Sequence, residues 1–168
     1  MLFGTKDKLK AQYAGEFVAS LGYAIMYASD SVGLGMFNEK IVKNFVPTSG
    51  EVQYYNILKS VVNLNLFKKG FDLVKPLEYY TSQLNQGTLF FIVSDFIGLK
   101  GQDWIKSLQI GAKKMDIVGV MVRDERDRAL PSEFLEVVLE SPDDNRKKVV
   151  DPSAIRSEYE SYVKREEE

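Results

Sequence analysis

The sequence predicts an α/β fold in which a mostly parallel sheet carries an antiparallel edge. Two short runs of continuous apolar residues, LFFIV at 89–93 and IVGVMV at 117–122, are typical of strands buried on both faces of a parallel sheet. An amphipathic helical pattern separates them at 103–115, and a strand–turn–strand pattern at 32–46 supplies the antiparallel edge. Strands that alternate with helices in this way indicate the α/β class.

Length and composition limit the number of domains and the size of the core. The 168 residues match the size of one domain, and a hydrophobic content of 45% is enough to form a core. We therefore expect a single domain over residues 1–168. The 22 basic and 24 acidic residues are scattered along the chain, so no basic stripe indicates nucleic-acid binding.

Two residue types are absent from the sequence, and both absences restrict the chemistry. Without cysteine there is no disulfide, thiolate metal site or thiol nucleophile, and without histidine there is no Ser-His-Asp arrangement. Any metal site must use oxygen ligands, which favours Mg²⁺, Mn²⁺ or Ca²⁺. No apolar run approaches the roughly 20 residues of a membrane span. The first ten residues lack a secretory h-region, so we expect a soluble, cytoplasmic protein.

The first predicted element is a long helix over 5–29, with Thr5 as its N-cap. An apolar residue recurs at every fourth position, which predicts a face packed on a sheet, at Leu9, Tyr13, Phe17, Leu21 and Ile25. A hairpin follows. Its strands cover 32–37 and 40–46, its turn lies near Asn38 and Glu39, and Pro47 ends the pattern.

Helical patterns follow at 51–64 and 72–84. Asp72 is the expected cap of the second, and Pro76 is tolerated because it falls in or near the first turn. Beyond the two buried strands, the segment DERDRALP at 124–131 predicts a solvated loop.

The C-terminal part is predicted to form a hairpin and a last helix. The hairpin covers 134–151 and turns at 142–144, where Pro-Asp-Asp favours a turn. Asp151 and Pro152 then supply a helix cap and a first-position proline. The helix has a predicted buried stripe at Ile155, Tyr159, Tyr162 and Val163.

Carboxylates stand at the ends of three predicted strands, where open α/β sheets bind their ligands. Glu39 follows the first strand, Asp95 follows LFFIVS and Asp124 follows IVGVMVR. Asp95 also has hydroxyl neighbours in Ser94 and, from the hairpin end, Thr48. Such oxygens suit a hard cation. The alternative is structural, because aspartate after a strand is often a turn residue or a helix cap.

Three stretches carry a resemblance to a known family. They are SDSVGLGMFNEKI at 29–41, a long segment from SDFIGLKGQDW to DERDRALP at 94–131, and VVDPSAIRSEYESYVKR at 149–165. They resemble a bacterial family of von Willebrand factor A-like proteins. That family is a domain of unknown function, often encoded beside MoxR-type AAA ATPases. The resemblance implies a Rossmann-like three-layer sandwich with helices on both faces of the sheet.

The resemblance also implies a metal-ion-dependent adhesion site at the carboxyl edge of the sheet. Its last aspartate corresponds to Asp95, and its D-x-S-x-S motif with the first central strand would lie before Met1. Its middle-loop threonine corresponds to Phe71, which cannot ligate a metal, although Asp72 is adjacent. The site is therefore expected to be degenerate, with weak Mg²⁺ or Mn²⁺ binding at best and no required cofactor.

The sequence is compatible with two functions. The first is a non-enzymatic protein-interaction module that works with an AAA ATPase in the assembly or maturation of other proteins. The alternative is a Mg²⁺-dependent phosphohydrolase or phosphotransferase that uses Asp95 and Asp124 as hard ligands. Because the implied central strand is missing, the chain is expected to be a piece of a longer protein and to self-associate through open strand edges.

Overall fold

A computed structural model describes residues 1, 4, 7–67, 71–99, 101–130, 137–140 and 147–167. The helices are α1 (Lys10–Tyr27), α2 (Glu51–Val61), α3 (Val74–Gln83), α4 (Asp103–Gly111), α5 (Glu125–Arg128) and α6 (Pro152–Glu167), with a 3-10 helix at Leu64–Phe67. The strands are β1 (Val32–Phe37), β2 (Ile41–Thr48), β3 (Thr88–Ser94), β4 (Met115–Met121), β5 (Val137–Glu140) and β6 (Lys147–Val150). The fold is mixed α/β, as predicted.

The strands form three separate two-stranded sheets. β1 pairs with β2 and β5 with β6 in antiparallel fashion, whereas β3 and β4 are parallel. The prediction that β1, β3 and β4 share one sheet is therefore wrong. The reason is that no described strand lies between β1 and β3, so the backbone hydrogen-bond ladder cannot continue from one to the other. The arrangement is not a clear three-layer sandwich.

The structure confirms the predicted strands and turn of the first hairpin. Gly35 lies opposite Asn44, and the N–H of Asn38 closes the turn by donating to the carbonyl of Lys40 at 3.0 Å. Its second strand continues through Pro47, which was predicted to end it. A proline fits there because an edge strand can spare one backbone donor.

The parallel pair packs one face against α3 and α4. The core on this face is formed by Leu73, Leu77 and Ile92, with partly buried aromatic residues around them. The opposite face is open, since Leu89 is 57% exposed and Val118 is 39% exposed. The predicted burial of these strands on both faces is therefore wrong, because in the described part of the chain apolar helices cover one face and leave Leu89 and Val118 on the other face exposed.

α1 packs on α2 through small residues rather than through its predicted apolar stripe. Ala11, Ala14, Gly15 and Gly22 are its buried apolar and glycine positions. Gly15 permits the close approach, because a Cβ there would lie 3.1 Å from the carbonyl oxygen of Val61. Phe17 remains 37% exposed, and Tyr13 even more so, so the stripe is only partly buried. The predicted cap, Thr5, lies outside the described residues.

The C-terminal region departs from its prediction in one place. The segment predicted as a solvated loop contains the short helix α5. The last hairpin is present, although its predicted turn at 142–144 lies outside the described residues. Asp151 caps α6 as predicted, with Oδ1 accepting from Ser153 N at 2.8 Å. Tyr162 is 54% exposed, so the predicted stripe of α6 is incomplete. Among the described helices, none has the length and hydropathy to cross a bilayer.

Candidate functional site

Asp95 lies at the carboxyl end of β3, as the sequence predicts, and its side chain is only 11% exposed. The preceding hydroxyl has a structural role, since Ser94 Oγ accepts from Phe96 N at 3.1 Å. Phe96 has a φ of 52°, so the chain leaves the strand through a left-handed residue. Asp95 Oδ1 meets the N–H of Ile97 at 3.5 Å. This turn directs the carboxylate into the molecule.

A buried lysine faces the carboxylate. Lys10 Nζ, from the first turn of α1, lies 2.9 Å from Asp95 Oδ2 and 2.8 Å from Asp127 Oδ2 in α5. The three side chains are 5%, 11% and 9% exposed. The amino group of Met1 also contacts Asp95 Oδ2, at 3.1 Å. We call Lys10, Asp95 and Asp127 the Lys10 cluster, and it joins α1, the end of β3 and α5.

The Lys10 cluster keeps Asp95 ionised. Burial raises the pKa of the Asp95 carboxyl, but the N-terminal ammonium and the Lys10 ammonium together outweigh burial. The pKa of Asp95 therefore lies below its ordinary value of 3.8. A buried carboxylate is stable only with such partners, because an isolated buried charge is costly.

The other predicted site residues do not converge on Asp95 within the described contacts. Asp72 Oδ1 caps α3 by accepting from Val74 N at 2.9 Å, and Asp124 Oδ1 caps α5 by accepting from Arg126 N at 2.9 Å. Thr48 is an exposed residue at the end of β2, and Glu39 is exposed in the hairpin turn. Asp124 contacts the Lys10 cluster through its backbone, whose N–H donates to Asp127 Oδ2 at 2.9 Å.

The residues around Asp95 do not fit a tight divalent cation site. The Lys10 ammonium lies where a cation would bind Asp95 Oδ2, so a metal ion would face like-charge repulsion or have to displace it. Among the described residues, no group of three potential metal ligands converges. Phe71 stacks on Phe37 with ring centroids 5.9 Å apart, so it belongs to the apolar core. Weak binding of Mg²⁺ or Mn²⁺ at Asp95 stays a prediction.

Sequence reasoning missed Lys10 and Asp127. Lys10 is one of several lysines at the start of α1, and Asp127 stands inside a highly charged segment, DERDR. Both positions have the composition of solvated surface. Only the tertiary contact between α1, β3 and α5 selects them, so no local pattern could have identified them.

A wide groove separates the two larger sheets. Its volume is about 1940 Å³, and both β1 and β3 contribute to its lining. One face of α1 contributes Val18, Leu21 and Ile25, and α3 contributes Leu77. Asp95 and Lys10 lie on the lining as well. The groove is therefore mainly apolar, with the Lys10 cluster among its walls.

An exposed aromatic surface lies where α1 meets α2. The ring centroids of Tyr23 and Tyr27 are 6.3 Å apart, those of Tyr23 and Tyr54 are 5.8 Å apart, and those of Tyr54 and Tyr55 are 5.7 Å apart. Tyr27 is 81% exposed and Tyr55 is 54% exposed. We call Tyr23, Tyr27, Tyr54 and Tyr55 the tyrosine surface.

The architecture and the site place this chain among mixed α/β domains with a strand-end carboxylate neutralised by a lysine. The chain belongs to the family described as "Protein of unknown function DUF58", whose profile matches residues 1–168. No curated protein and no solved structure matches the chain.

Proposed function

We propose that this chain is a non-enzymatic protein-interaction module. The observation that carries the proposal is the tyrosine surface, because four tyrosines, each in ring contact with the next, extend across α1 and α2 and three of them are at least half exposed. Tyrosine is enriched at protein interfaces, since it offers a large apolar ring and a hydroxyl that stays hydrogen bonded. A surface of this kind suits the binding of another protein.

The charge pairing at the end of β3 supports the non-enzymatic part of the proposal. A Mg²⁺-dependent hydrolase needs carboxylates free to share a cation, whereas Asp95 is paired with Lys10 and Asp124 caps α5. We therefore favour the interaction module over the phosphohydrolase or phosphotransferase alternative.

The partner in this proposal is an AAA ATPase of the MoxR type. The support is the sequence resemblance to von Willebrand factor A-like proteins encoded beside such ATPases, and a von Willebrand factor A-like origin of the fold belongs to the same proposal. In this view the module helps the ATPase to act on other proteins during their assembly or maturation. The cytoplasmic location expected from the sequence is part of the proposal as well.

Binding to a purified MoxR-type AAA ATPase tests the proposal. The affinity is measured by biolayer interferometry in the presence of ATP and of ADP. The double variant Tyr27→Ser/Tyr55→Ser is expected to weaken binding by at least about tenfold, because a few aromatic anchors carry most of the energy of an interface.

Tyr162→Ser is the matched control, since Tyr162 on α6 has the same 54% exposure as Tyr55 but lies outside the tyrosine surface. Wild-type affinity is expected for this variant. The proposal fails if the wild-type chain does not bind the ATPase. The tyrosine surface is excluded as the contact if the double variant and the control lose the same affinity.

A further inference from the structure

The ring faces of the tyrosine surface can attract a cation, because the π electrons make the face of an aromatic ring negative. Elsewhere the chain supplies such a cation itself. Lys8 Nζ lies 5.6 Å from the ring centroid of Tyr13, and Lys43 Nζ lies 5.0 Å from that of Phe45. In the described part of the chain, no lysine or arginine takes this position over the four tyrosines. The exposed tyrosine rings are therefore open to a cation from another molecule.

The sequence around the tyrosine surface lacks basic residues. Positions 11–39 and 44–58 contain no lysine or arginine, and the four tyrosines lie inside these two stretches. The same stretches carry exposed carboxylates at Asp30 and Glu51. None of the ion pairs among the described residues involves either of them. The residues that flank the tyrosines therefore contribute negative charge.

The two carboxylates lie toward the same end of the tyrosine surface. α1 and α2 run in opposite directions, because Gly15 of α1 approaches Val61, the last residue of α2, and tyrosine rings meet where α1 ends and α2 begins. Asp30 lies just after the end of α1, and Glu51 is the first residue of α2. Lys59 lies about two turns further along α2, toward the other end. The end with the carboxylates therefore attracts positive charge.

The rings and the carboxylates together determine the chemistry of the occupant. Nucleic acid or an anionic membrane would be repelled by Asp30 and Glu51. Arginine fits both features, because its planar guanidinium stacks on aromatic rings and pairs with carboxylates. Alternate side chains of an extended segment are about 7 Å apart, which is close to the 5.7–6.3 Å between neighbouring rings.

We propose that the tyrosine surface binds an extended, arginine-bearing segment of the partner protein, with guanidinium groups over the rings and beside Asp30 and Glu51. This inference rests on the proposed function and specifies the chemistry that the partner presents to the same surface. A second copy of this chain is a poorer occupant. Its only closely spaced arginines, in RDERDR at 123–128, alternate with acidic residues.

The capped peptide Gly-Arg-Ser-Arg-Ser-Arg-Gly serves as the probe. Binding is measured by NMR on the full chain with isotope-labelled tyrosine. The ring signals of Tyr27 and Tyr55 are expected to shift during the titration, and the arginine Hδ signals are expected to move upfield because these protons lie over aromatic rings. Tyr162 is the internal control, since it is 54% exposed like Tyr55 but lies outside the tyrosine surface. Its ring signal should stay in place.

Two control peptides test the chemistry of the side chain. Glutamine in place of each arginine removes the charge and is expected to weaken binding by at least about tenfold. Lysine in place of each arginine keeps the charge but loses the planar group, and should weaken binding by at least about threefold. Equal binding of the glutamine peptide would overturn the proposal, and equal binding of the lysine peptide would overturn the choice of arginine.

A charge-neutral double variant tests the carboxylates. Asp30→Asn/Glu51→Gln is expected to weaken peptide binding by at least about threefold at about 20 mM NaCl and by much less at about 500 mM, because salt screens exposed charges. Glu158→Gln is the matched control, since exposed Glu158 precedes Tyr162 on α6 by four residues, as Glu51 precedes Tyr55 on α2. It should leave binding unchanged. Equal affinity of the double variant and the wild-type chain at low salt would overturn the role of the carboxylates.

Two substitutions of the same tyrosines test the rings. Tyr27→Phe/Tyr55→Phe keeps the aromatic faces and is expected to retain binding within about threefold, whereas Tyr27→Ser/Tyr55→Ser should lose at least about tenfold. Circular dichroism checks that both variants fold. Equal losses in the two variants would overturn the proposed contact with the rings.

The remaining outcomes separate this inference from the proposed function. If the arginine peptide does not bind, the inference is overturned. If the signals of Tyr27 and Tyr55 shift with the concentration of the chain alone, the occupant is a second copy and the proposed partner segment is wrong. In both cases, ATPase binding that depends on the tyrosine surface would still support the interaction module. Peptide binding by a chain that does not bind the ATPase would support the inference and exclude the ATPase as the partner.

Discussion

The two sides of β3 are held in different ways. On the β4 side, the strand has a full parallel partner along its length. On the groove side there is no strand partner within the described chain, and the strand end connects to α1 through the Lys10 cluster. A backbone hydrogen-bond ladder therefore holds the first side of β3, and buried charge pairing holds the strand end on the second side.

The largest expected effect comes from breaking the Lys10 cluster. Lys10→Met leaves two carboxylates buried without their shared cation, and we expect the free energy of unfolding to fall by about 3–5 kcal/mol. Urea denaturation followed by circular dichroism measures the change.

Lys8→Met is the control for this variant. Lys8 pairs with Glu16 at 2.6 Å, but both side chains are about half exposed. The loss of stability should be far smaller than in Lys10→Met, because solvent screens surface pairs. Similar losses in the two variants would contradict the distinct role of the Lys10 cluster.

The packing of the parallel pair is tested by truncating one leucine that covers its packed face and one leucine on its open face. Leu77→Ala, at 1% exposure, should lower the free energy of unfolding by about 2–5 kcal/mol, since it leaves a cavity in the core. Leu89→Ala, at 57% exposure, should change it by no more than about 0.5 kcal/mol. Thermal and urea unfolding provide the measurement. A large loss at Leu89 would show that the open face is packed after all.

Gly35 in β1 tests the close contact between this strand and Tyr80 of α3. A Cβ there would lie 2.8 Å from Cε2 of Tyr80 and closer still to its hydroxyl. Gly35→Ala is therefore expected to cost about 1–3 kcal/mol of stability, because the phenol ring must move. Gly22→Ala is the contrast, since its nearest new contact would be an ordinary 3.7 Å to Tyr54. That substitution should stabilise α1 by up to about 1 kcal/mol. Equal destabilisation in both would contradict the Tyr80 contact.

The smallest expected effect is a loss of stability at alkaline pH through Tyr80. Its hydroxyl donates to Asn44 Oδ1 at 3.1 Å, and its ring lies 5.5 Å from that of Phe90. Burial, with a smaller effect of the Tyr79 phenol, raises the pKa of Tyr80 from 10.0 to about 12. The folded state therefore favours the neutral phenol. Its contribution to stability is complete below pH 10 and is lost as the pH rises through about 12.

The free energy of unfolding, measured between pH 10 and about pH 12, should fall in the wild-type chain as Tyr80 ionises. In Tyr80→Phe, the part of this fall that is due to Tyr80 should be absent. An unchanged pH profile in Tyr80→Phe would show that other groups cause the loss.

Local sequence patterns determined most of the helices and strands. The apolar run of β3, the glycine-containing run of β4, the first hairpin and the caps at Asp72 and Asp151 were all predicted, because each depends on neighbours a few residues away. The position of Asp95 at a strand end was predicted for the same reason.

Only the tertiary structure decided what these elements do together. Burial of Lys10 and Asp127 depends on three elements meeting, and 117 residues separate the two in sequence. Among the described strands, β1 and β3 each keep one unpaired edge, and which strands pair is not determined by apolar periodicity alone. The same holds for α1, where small residues at the α2 contact displaced the predicted stripe toward solvent. Sequence patterns report local preference, whereas pairing, burial and charge compensation arise from contacts between segments far apart in the chain.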